Sequence, residues 1–514
     1  MAVSEISAQA AAHTEHVDVL IVGAGLSGIG AACHLQRSCP DRSFAILEAR
    51  AAIGGTWDLF RYPGIRSDSD MFTLGYRFKP WKQAEAIADG GSIRAYIHEA
   101  AAEHAIEQAV RFNSRATRAE FSSQRARWTV EIERTDGPAG APPQRSTITC
   151  NFLFGCTGYY RYDEGYTPQF PGSERFQGRL VHPQHWPEDL DYSGKRVLVI
   201  GSGATAVTLV PAMSDRAAHV TMLQRSPSYV LSLPGQDPLA RLLRRVLPAR
   251  AAYPVVRWKN VLMALGFYKL SRRAPRLMRS LLRKGVEAHL PAGYDVETHF
   301  NPRYEPWDQR VCFVPDGDMF DALGTGRASI VTDRIETFTQ RGVLLASGRE
   351  LEADVIVTAT GLNLLALGGI EIAVDGEEVS LPETVGYKGM MLSGVPNLAL
   401  TLGYTNASWT LKADLVAEYV CRLLNHMQAR GYARCTPKAP PADEPTAPFL
   451  DLKSGYVERA LDKLPRQGAR APWRLNQNYP LDVRLLRRGA LEDEGIEFSR
   501  ATAPQAVPAE PIAA

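Results

Sequence analysis

The chain contains 514 residues, of which 45% are hydrophobic, and carries a formal net charge of +2 at pH 7. This length and composition predict a globular protein of about two or three domains, and the small net charge excludes a global field that would favour nucleic acid. The N-terminus shows neither a basic start nor an apolar run, and no stretch approaches the roughly 18 apolar residues of a membrane span, so we expect a cytoplasmic protein.

A pattern of strand, glycine turn, helix and strand opens the chain. The apolar run HVDVLIVG leads into Gly23, Gly25 and Gly28, and the next strand pattern ends at Glu48. Glycines at this spacing let the backbone turn sharply and approach a diphosphate, whose charge would rest on N–H groups at the helix start. An acidic residue about 20 positions later can accept a hydrogen bond from a ribose 2′-hydroxyl. The pattern predicts a βαβ site for FAD or NAD.

The next stretch, GGTWDLFRYPGIRSDSDM, covers residues 54–71. It is rich in turn formers and aromatic side chains, which predicts a shaped loop rather than a helix. Loops of this kind commonly carry function.

The segment FQGRLVHPQHWPEDL, residues 176–190, holds His182 and His185 without the pattern of a regular helix or strand. A zinc site would need further Cys or His ligands at short spacing, and since none lies nearby we expect no metal. From the residues alone, His182 is a candidate for acid–base catalysis or for a connector that absorbs a domain rotation. His185 is expected to have a surface or packing role.

A second glycine turn follows the strand pattern KRVLVIG. Gly201 and Gly203 fill the first two glycine positions, and Ala206 fills the third, where a small residue suffices for packing. The second strand here ends in Arg225 and Ser226 instead of an acid. A guanidinium can hold a ribose 2′-phosphate that a carboxylate would repel. The pattern predicts an NADP site, with a solvated surface arginine as the alternative for Arg225.

Two dinucleotide sites of opposite ribose preference suggest hydride transfer from NADPH to FAD. The seven cysteines include no Cys-x-x-Cys pair, which is typical of free thiols in a reducing compartment and argues against a disulfide reductase. Molecular oxygen is then the remaining common electron acceptor.

With these features the chain resembles the type I Baeyer–Villiger monooxygenases, a branch of the class B flavoprotein monooxygenases. The loop of residues 54–71 has their glycine, aromatic and acidic pattern at Gly54, Gly55, Trp57, Tyr62, Pro63, Gly64 and Asp68. Their fingerprint F-x-G-x-x-x-H-x-x-x-W-P is met by Phe176, Gly178, His182, Trp186 and Pro187. The wording of RYPGIRSDSDM, PWDQR and GYTNASWTLKADL is most similar to the ethionamide-activating branch.

The resemblance implies an α/β fold with two Rossmann-like domains, for FAD and NADP, and a helical insertion in the NADP domain. It implies an NADPH- and O₂-dependent conversion of ketones to esters or lactones through a C4a-peroxyflavin, with oxygenation of sulfides by the same enzyme. The expected partners are therefore a ketone or sulfide and O₂, with no nucleic acid. Two alternatives stay open: a flavin-containing monooxygenase limited to N- and S-oxygenation, and a non-catalytic flavoprotein binding module.

The resemblance also assigns expected roles to single residues. Arg310 would stabilise the negative charge of the reaction and pair with Asp68, although Gln309 and Val311 depart from the family's Lys-Arg-Pro context. His182 would lie in a connector between the two domains. Cofactor contacts are further implied at Gly55, Trp57, Asp68 and Met71 of the loop, and at Gly361, where the chain returns to the FAD domain.

The expected limits are 1–165 and 353–495 for a discontinuous FAD domain, 166–352 for the NADP domain and 496–514 for a disordered tail. The insertion, residues 238–290, is helical in pattern and rich in arginine. Such a segment predicts either a solvated face or a peripheral contact with an anionic membrane or a partner. A helix is expected after Asn406 or Ser408, each a suitable cap, and related flavoproteins place the corresponding helix near the flavin ring.

Overall fold

Two sheets organise the described residues of the computed structural model, which are 15–138 and 142–501. Residues 1–14, which bear on the prediction about the N-terminus, lie outside these ranges. Residues 502–514 of the predicted tail also lie outside them.

The first domain is built around a nine-stranded sheet. Its strand Glu15–Val22 pairs in parallel with Phe44–Leu47 on one side and with Arg145–Gly155 on the other. The remaining strands are Val110–Arg111, Ser114–Ser122, Arg127–Arg134, Glu371–Val374, Glu377–Glu378 and Leu398–Leu400. Two separate stretches of chain therefore contribute to this sheet.

A five-stranded parallel sheet organises the second domain. Its spatial order is Ala328–Thr332, His219–Gln224, Arg196–Ile200, Val355–Thr358 and Arg179–Val181. Helix Ala204–Ser214 follows the central strand, in agreement with the predicted βαβ unit. An antiparallel sheet of three strands accompanies it: Ile335–Phe338, Gly342–Leu345 and Glu350–Glu352.

The boundary expected between residues 352 and 353 is wrong, because the strand Val355–Thr358 lies in the second sheet. This strand pairs in parallel with Arg196–Ile200 and with Arg179–Val181. Its first three side chains are fully buried by these neighbours and their covering layers. The strand Arg179–Val181 itself lies in the segment expected to be irregular, since a pattern of three residues is too short to be recognised in a sequence.

The remaining elements complete the two domains. The α-helices are Leu26–Ser38, Thr56–Leu59, Met71–Leu74, Gly90–Glu103, Ala204–Ser214, Pro238–Val246, Ala249–Arg273, Pro275–Glu287, Val296–Phe300, Asp318–Gly324, Trp409–Arg430, Gly455–Glu458 and Tyr479–Arg488. The 3₁₀ turns are Ile106–Ala109, Ser173–Arg175, Pro183–His185, Ala366–Gly369, Leu381–Glu383 and Leu461–Lys463. Paired short strands are Val230–Leu233 with Cys312–Pro315, Tyr160–Gly165 with Leu362–Leu364, Gly386–Tyr387 with Met391–Leu392, Arg434–Pro437 with Ile496–Ser499, and Thr446–Pro448 with Arg466–Gly468.

Three local predictions need correction. The strand Ile496–Ser499 pairs with Arg434–Pro437, so the predicted tail begins too early. The loop of residues 54–71 contains the single turn of helix Thr56–Leu59 and ends in the first residue of another short helix. Ser408 precedes helix Trp409–Arg430 but does not cap it, because its hydroxyl lies 2.6 Å from the Thr73 hydroxyl.

The insertion forms three helices, of which Ala249–Arg273 is anchored to the first domain by a buried arginine. Arg257 donates to the carbonyls of Phe72 and Gly75, each at 2.7 Å, and faces the carboxylate of Asp414 at 3.5 Å. In the described part of the chain, no helix is long and apolar enough to cross a membrane.

Asp414 is the acceptor that holds this anchor together. It also accepts from the His34 imidazole at 3.1 Å and from the Arg77 backbone N–H at 2.9 Å. Burial alone would raise the pKa of Asp414, but the His34 hydrogen bond and the Arg257 charge lower it below its usual value. Three separate parts of the chain therefore converge on one carboxylate.

We expect Asp414→Ala to lower the free energy of unfolding by about 3–5 kcal/mol, because it leaves the Arg257 guanidinium buried without a counter-charge. Denaturant titration of the purified protein measures this change. The matched control is Asp462→Ala, which removes an exposed carboxylate and should change stability by less than about 0.5 kcal/mol. A loss below about 1 kcal/mol for Asp414→Ala would show that the anchor is not a buried ion pair in solution.

Candidate active site

A cavity of about 580 Å³ lies between the two glycine turns. It is bordered by the first turn at Gly23 and Gly25, and by Ala204 and Thr205 at the start of the second helix. Gly55, Trp57 and Asp68 from the loop, Glu48 and Arg310 also line it. The fold therefore brings together residues that lie more than 280 positions apart in the sequence.

The first turn is shaped by close backbone contacts. Gly23 has a φ of +103°, and a Cβ atom there would lie 2.6 Å from the carbonyl oxygen of Cys156. A Cβ on Gly28 would lie 1.8 Å from the Gly23 carbonyl oxygen, so only glycine fits. Helix Leu26–Ser38 starts at Gly25 with no side-chain cap and no acidic residue in its first turn. Its first N–H groups are thus available to an anion.

Glu48 lies at the edge of the cavity with its carboxylate held by two backbone groups. One oxygen accepts from the Ala24 N–H at 2.7 Å and the other from the Arg50 N–H at 2.9 Å. Burial raises the pKa of this carboxyl above its usual value. An ionised carboxylate offers about four acceptor positions, so capacity for a hydroxyl donor is left.

Arg310 and Asp68 form an ion pair that lines the cavity. Although burial opposes the charged form, the Asp68 carboxylate and the ionisable hydroxyl group of Tyr159 raise the pKa of Arg310 well above its usual value. The Nε atom of Arg310 is buried without a hydrogen-bond partner among the described residues. Asp308, two positions before Arg310 in the sequence, binds Arg272 at 2.7 Å instead. The guanidinium therefore has Asp68 as its counter-charge and keeps one donor without a partner among the described residues.

The second turn repeats the geometry of the first. Gly201 has a φ of +140°, and a Cβ atom there would lie 2.2 Å from the Ala359 carbonyl oxygen. Gly203 is the uncapped start of helix Ala204–Ser214, and Ala206 is fully buried, as a packing position requires. Beyond the adjacent strand, the side chain of Arg225 is exposed and makes no ion pair with the described residues.

Ser226 joins the second glycine turn to the end of the neighbouring strand. Its carbonyl accepts from the Ser202 hydroxyl at 3.0 Å. The same hydroxyl lies 3.0 Å from that of Ser228. This contact fixes the backbone that follows Arg225, whose side chain is exposed.

His182, in the segment of residues 176–190, contacts the chain at Gly361. Its Nε2 lies 3.2 Å from the Gly361 carbonyl, and its Nδ1 accepts from the Gln184 N–H at 3.2 Å. These partners favour the neutral Nε2–H form, and burial lowers the pKa of His182 below its usual value. His185 lies apart, with Nε2 3.2 Å from the Asp163 carbonyl. Within 15–138 and 142–501, no cluster of His, Cys, Asp or Glu is arranged to hold a metal ion.

Two predicted residues do not reach the cavity. The side chain of Met71 is fully buried in the core of the first domain, and its backbone N–H donates to the Ala86 carbonyl at 2.7 Å. Gly361 is occupied by the contact with His182, and its neighbour Leu362 lines the cavity instead.

Aromatic side chains that were not singled out from the sequence supply much of the cavity wall. Tyr159, Tyr160 and Tyr162 follow the strand Arg145–Gly155, and Trp409 stacks on Tyr159 with ring centroids 5.1 Å apart. A signal for the tyrosines was present, because carboxyl ends of neighbouring parallel strands meet at the same edge of a sheet. The indole of Trp409 donates to the Ser27 hydroxyl at 2.7 Å, a contact that no local sequence pattern predicts.

Comparison with known proteins identifies the family. Residues 90–247 match the flavin-binding monooxygenase-like family, and residues 21–83 match the NAD(P)-binding Rossmann-like domain. The chain is 56% identical to the FAD-containing monooxygenase EthA of Mycobacterium tuberculosis over 495 residues, which are 96% of this chain and 100% of that protein. The chain belongs to the FAD-containing flavin monooxygenases. The predicted family is confirmed.

Solved structures agree with the fold of this monooxygenase. An oxidised steroid monooxygenase bound to NADP superposes with a TM-score of 0.71 at 22% identity, covering 94% of this chain and 100% of that one. The polycyclic ketone monooxygenase of Thermothelomyces thermophila gives a TM-score of 0.72 at 17% identity, covering 95% and 90% of the two chains. The predicted α/β fold with paired dinucleotide-binding domains is confirmed.

Proposed function

We propose that this monooxygenase uses NADPH and O₂ to insert one oxygen atom into a ketone, giving an ester or lactone, and that it also oxygenates sulfides. The observation that carries the proposal is the ion pair of Arg310 and Asp68 at a cavity bordered by two anion-binding glycine turns. A permanent cation at this place suits a reaction that develops negative charge on oxygen. Two solved structures with a similar fold are those of a steroid monooxygenase and a polycyclic ketone monooxygenase.

FAD fits the first glycine turn. Gly25 and Gly55 lie so close together that a Cβ on Gly55 would be 3.0 Å from the Gly25 Cα. Because neither residue has a side chain, the N–H groups of the helix start stay open to a diphosphate. Glu48 would accept from a ribose hydroxyl, and Trp57 would line the ring end of the site. Once reduced, FAD supplies the electrons that activate O₂.

NADPH fits the second glycine turn. The uncapped start at Gly203 would receive the diphosphate, and the exposed Arg225 with the adjacent Ser226 would hold the 2′-phosphate. The second strand is followed by Arg225 where the first is followed by Glu48, so a guanidinium stands in place of the carboxylate that would repel that phosphate. The cofactor preference thus follows from one charge difference between two similar turns.

Arg310 would stabilise the anionic oxygen of the reaction, and Asp68 would orient the guanidinium. A charged donor that is already in place requires little reorganisation as charge develops. His182 is better suited to positioning than to acid–base work, since both of its ring nitrogens are engaged by backbone groups. It would hold the connector against Gly361.

A glycine pair tests the flavin site. In Gly25→Ala the new Cβ meets Gly55 at an ordinary 3.5 Å, so the chain should fold, while the methyl group occupies the helix start and weakens FAD binding. In Gly28→Ala the 1.8 Å clash should disrupt the turn itself. Thermal unfolding of the apoprotein and flavin absorbance after gel filtration separate the two effects. Full retention of FAD in Gly25→Ala would refute this placement of the diphosphate.

Arg225→Ala should raise the apparent KM for NADPH by roughly 10- to 100-fold and leave that for NADH nearly unchanged, because a charged hydrogen bond to the phosphate is lost. Steady-state oxidation of both cofactors measures the ratio. Arg125→Ala, which removes another exposed arginine, should change neither value. An equal rise for both cofactors would contradict the assignment of Arg225.

The reaction itself is tested with the purified holoenzyme, ¹⁸O₂, a linear ketone and a thioether. We expect ¹⁸O in an ester from the ketone and in a sulfoxide from the thioether. Sulfoxide alone would favour an enzyme limited to N- and S-oxygenation, and no NADPH oxidation would favour a binding module.

Arg310→Ala should retain FAD but lose ester formation by about 10²–10³-fold and release peroxide instead, with Arg310→Lys partly active. Near-normal ester formation in Arg310→Ala would exclude this role.

A further inference from the structure

Exposed apolar side chains are concentrated on the insertion of residues 238–290. The described chain has 13 exposed large apolar side chains, and 10 of them lie in this segment. Leu262 and Met263 are 57% and 63% exposed. Because a folded protein rarely leaves apolar surface clustered in water, such a patch marks a contact with something else.

The patch follows one face of helix Ala249–Arg273. Val255, Trp258 and Leu262 follow one another at spacings of three and four residues, and Leu270 lies about two turns further along the same side. This stripe is roughly 22 Å long at the rise of an α-helix. The opposite face, which includes Arg257, is buried against the first domain. The helix thus has one packed face and one largely exposed face, at whose edge Trp258 contacts the ring of Tyr479.

Positive charge surrounds the stripe. Residues 238–285 contain 13 Lys or Arg and no Asp or Glu. Lys269 and Arg273 on the same helix, and Arg276 and Lys284 on the next, are exposed beside the apolar residues. This combination of an apolar stripe with a basic border complements an anionic interface.

A basic cleft of about 870 Å³ adjoins the stripe at Trp258 and shares no lining residue with the flavin cavity. Seven Lys or Arg side chains line it, against two glutamates. Glu103 is paired with Lys79, and Glu418 is paired with Arg77 and Arg487. In the described residues, Arg37, Lys82 and Arg250 of the cleft make no ion pair, so its free charge is positive.

We propose that this face docks the enzyme on an anionic phospholipid bilayer, with the stripe of helix Ala249–Arg273 at the acyl boundary and a lipid phosphate in the basic cleft. The exposed indole of Trp258 lies where the two features meet, and tryptophan favours the interface between headgroups and acyl chains. The proposal is independent of the reaction proposed above, since no residue of the flavin cavity takes part.

A second copy of the chain is a poorer occupant of the same face. A two-fold contact would place the same patch on both sides, so its exposed cations, among them Lys269, Arg273 and Arg276, would face an identical set. Like charges brought together at an interface oppose association. Phospholipid phosphates carry the opposite charge.

The test uses the flavin-loaded full-length enzyme and sedimentation with vesicles of phosphatidylcholine alone or mixed with phosphatidylglycerol. We expect binding to the mixed vesicles at low salt, weaker binding to phosphatidylcholine, and release at high salt. Leu262→Glu with Met263→Glu should weaken binding by about tenfold or more, because two apolar contacts become charged. Arg250→Glu with Lys82→Glu should weaken binding to the mixed vesicles by about tenfold and reduce its salt dependence.

Matched controls are Leu461→Glu for the apolar change and Arg349→Glu for the charge change, both at exposed positions outside the patch. They should bind vesicles as the unmodified enzyme does, and every variant should retain FAD and oxidise NADPH. Absence of binding to anionic vesicles at low salt would overturn the proposal. Undiminished binding of both patch variants would also overturn it. So would a dimer in ultracentrifugation that the Leu262→Glu, Met263→Glu variant abolishes, if vesicle binding is absent.

Discussion

The ion pair between Asp68 and Arg310 joins the two domains at the point where the cavity lies. Asp68 belongs to the loop that follows the first βαβ unit, and Arg310 belongs to the chain that follows the insertion. The same loop sends Arg66 to Asp318 of the second domain. A charge that is partly buried among tyrosines needs a counter-charge, so this pairing restrains the distance between the domains. The cavity, which is lined by residues of both domains, depends on that distance.

Patterns of short range predicted much of this molecule. The glycine turns at Gly23 and Gly201 need φ values that only glycine adopts without strain, so their sequence carries their structure directly. The strands that flank them are apolar because they are buried on both faces. Residues that pair with distant partners were harder to place. The sequence around Val355 does not indicate that this strand lies between Arg196–Ile200 and Arg179–Val181, because parallel pairing is a property of the whole sheet.

The residues of the candidate site also divide into those that a local pattern indicates and those that depend on distant contacts. Asp68 and Arg310 were paired through resemblance to a family, and their contact requires both domains in position. Met71 was expected at the cofactor through the same resemblance, but its side chain fills the core of the first domain. Tyr159 and Trp409 line the cavity and stack on each other although 250 positions separate them. A local pattern cannot describe a wall whose two halves lie 250 positions apart in the chain.

The two positions proposed to bind ribose differ in burial as well as in charge. Glu48 is buried, and both of its oxygens are fixed by backbone N–H groups, so a cofactor bound there meets a preorganised acceptor at little entropic cost. Arg225 is exposed and makes no ion pair with the described residues, so in the proposed site it would lose side-chain freedom each time it binds a phosphate. In the proposed reaction FAD stays in place over many turnovers, while NADPH enters and NADP leaves in each one. The fixed carboxylate and the exposed guanidinium match these two requirements, because the same fold must retain one dinucleotide and release the other.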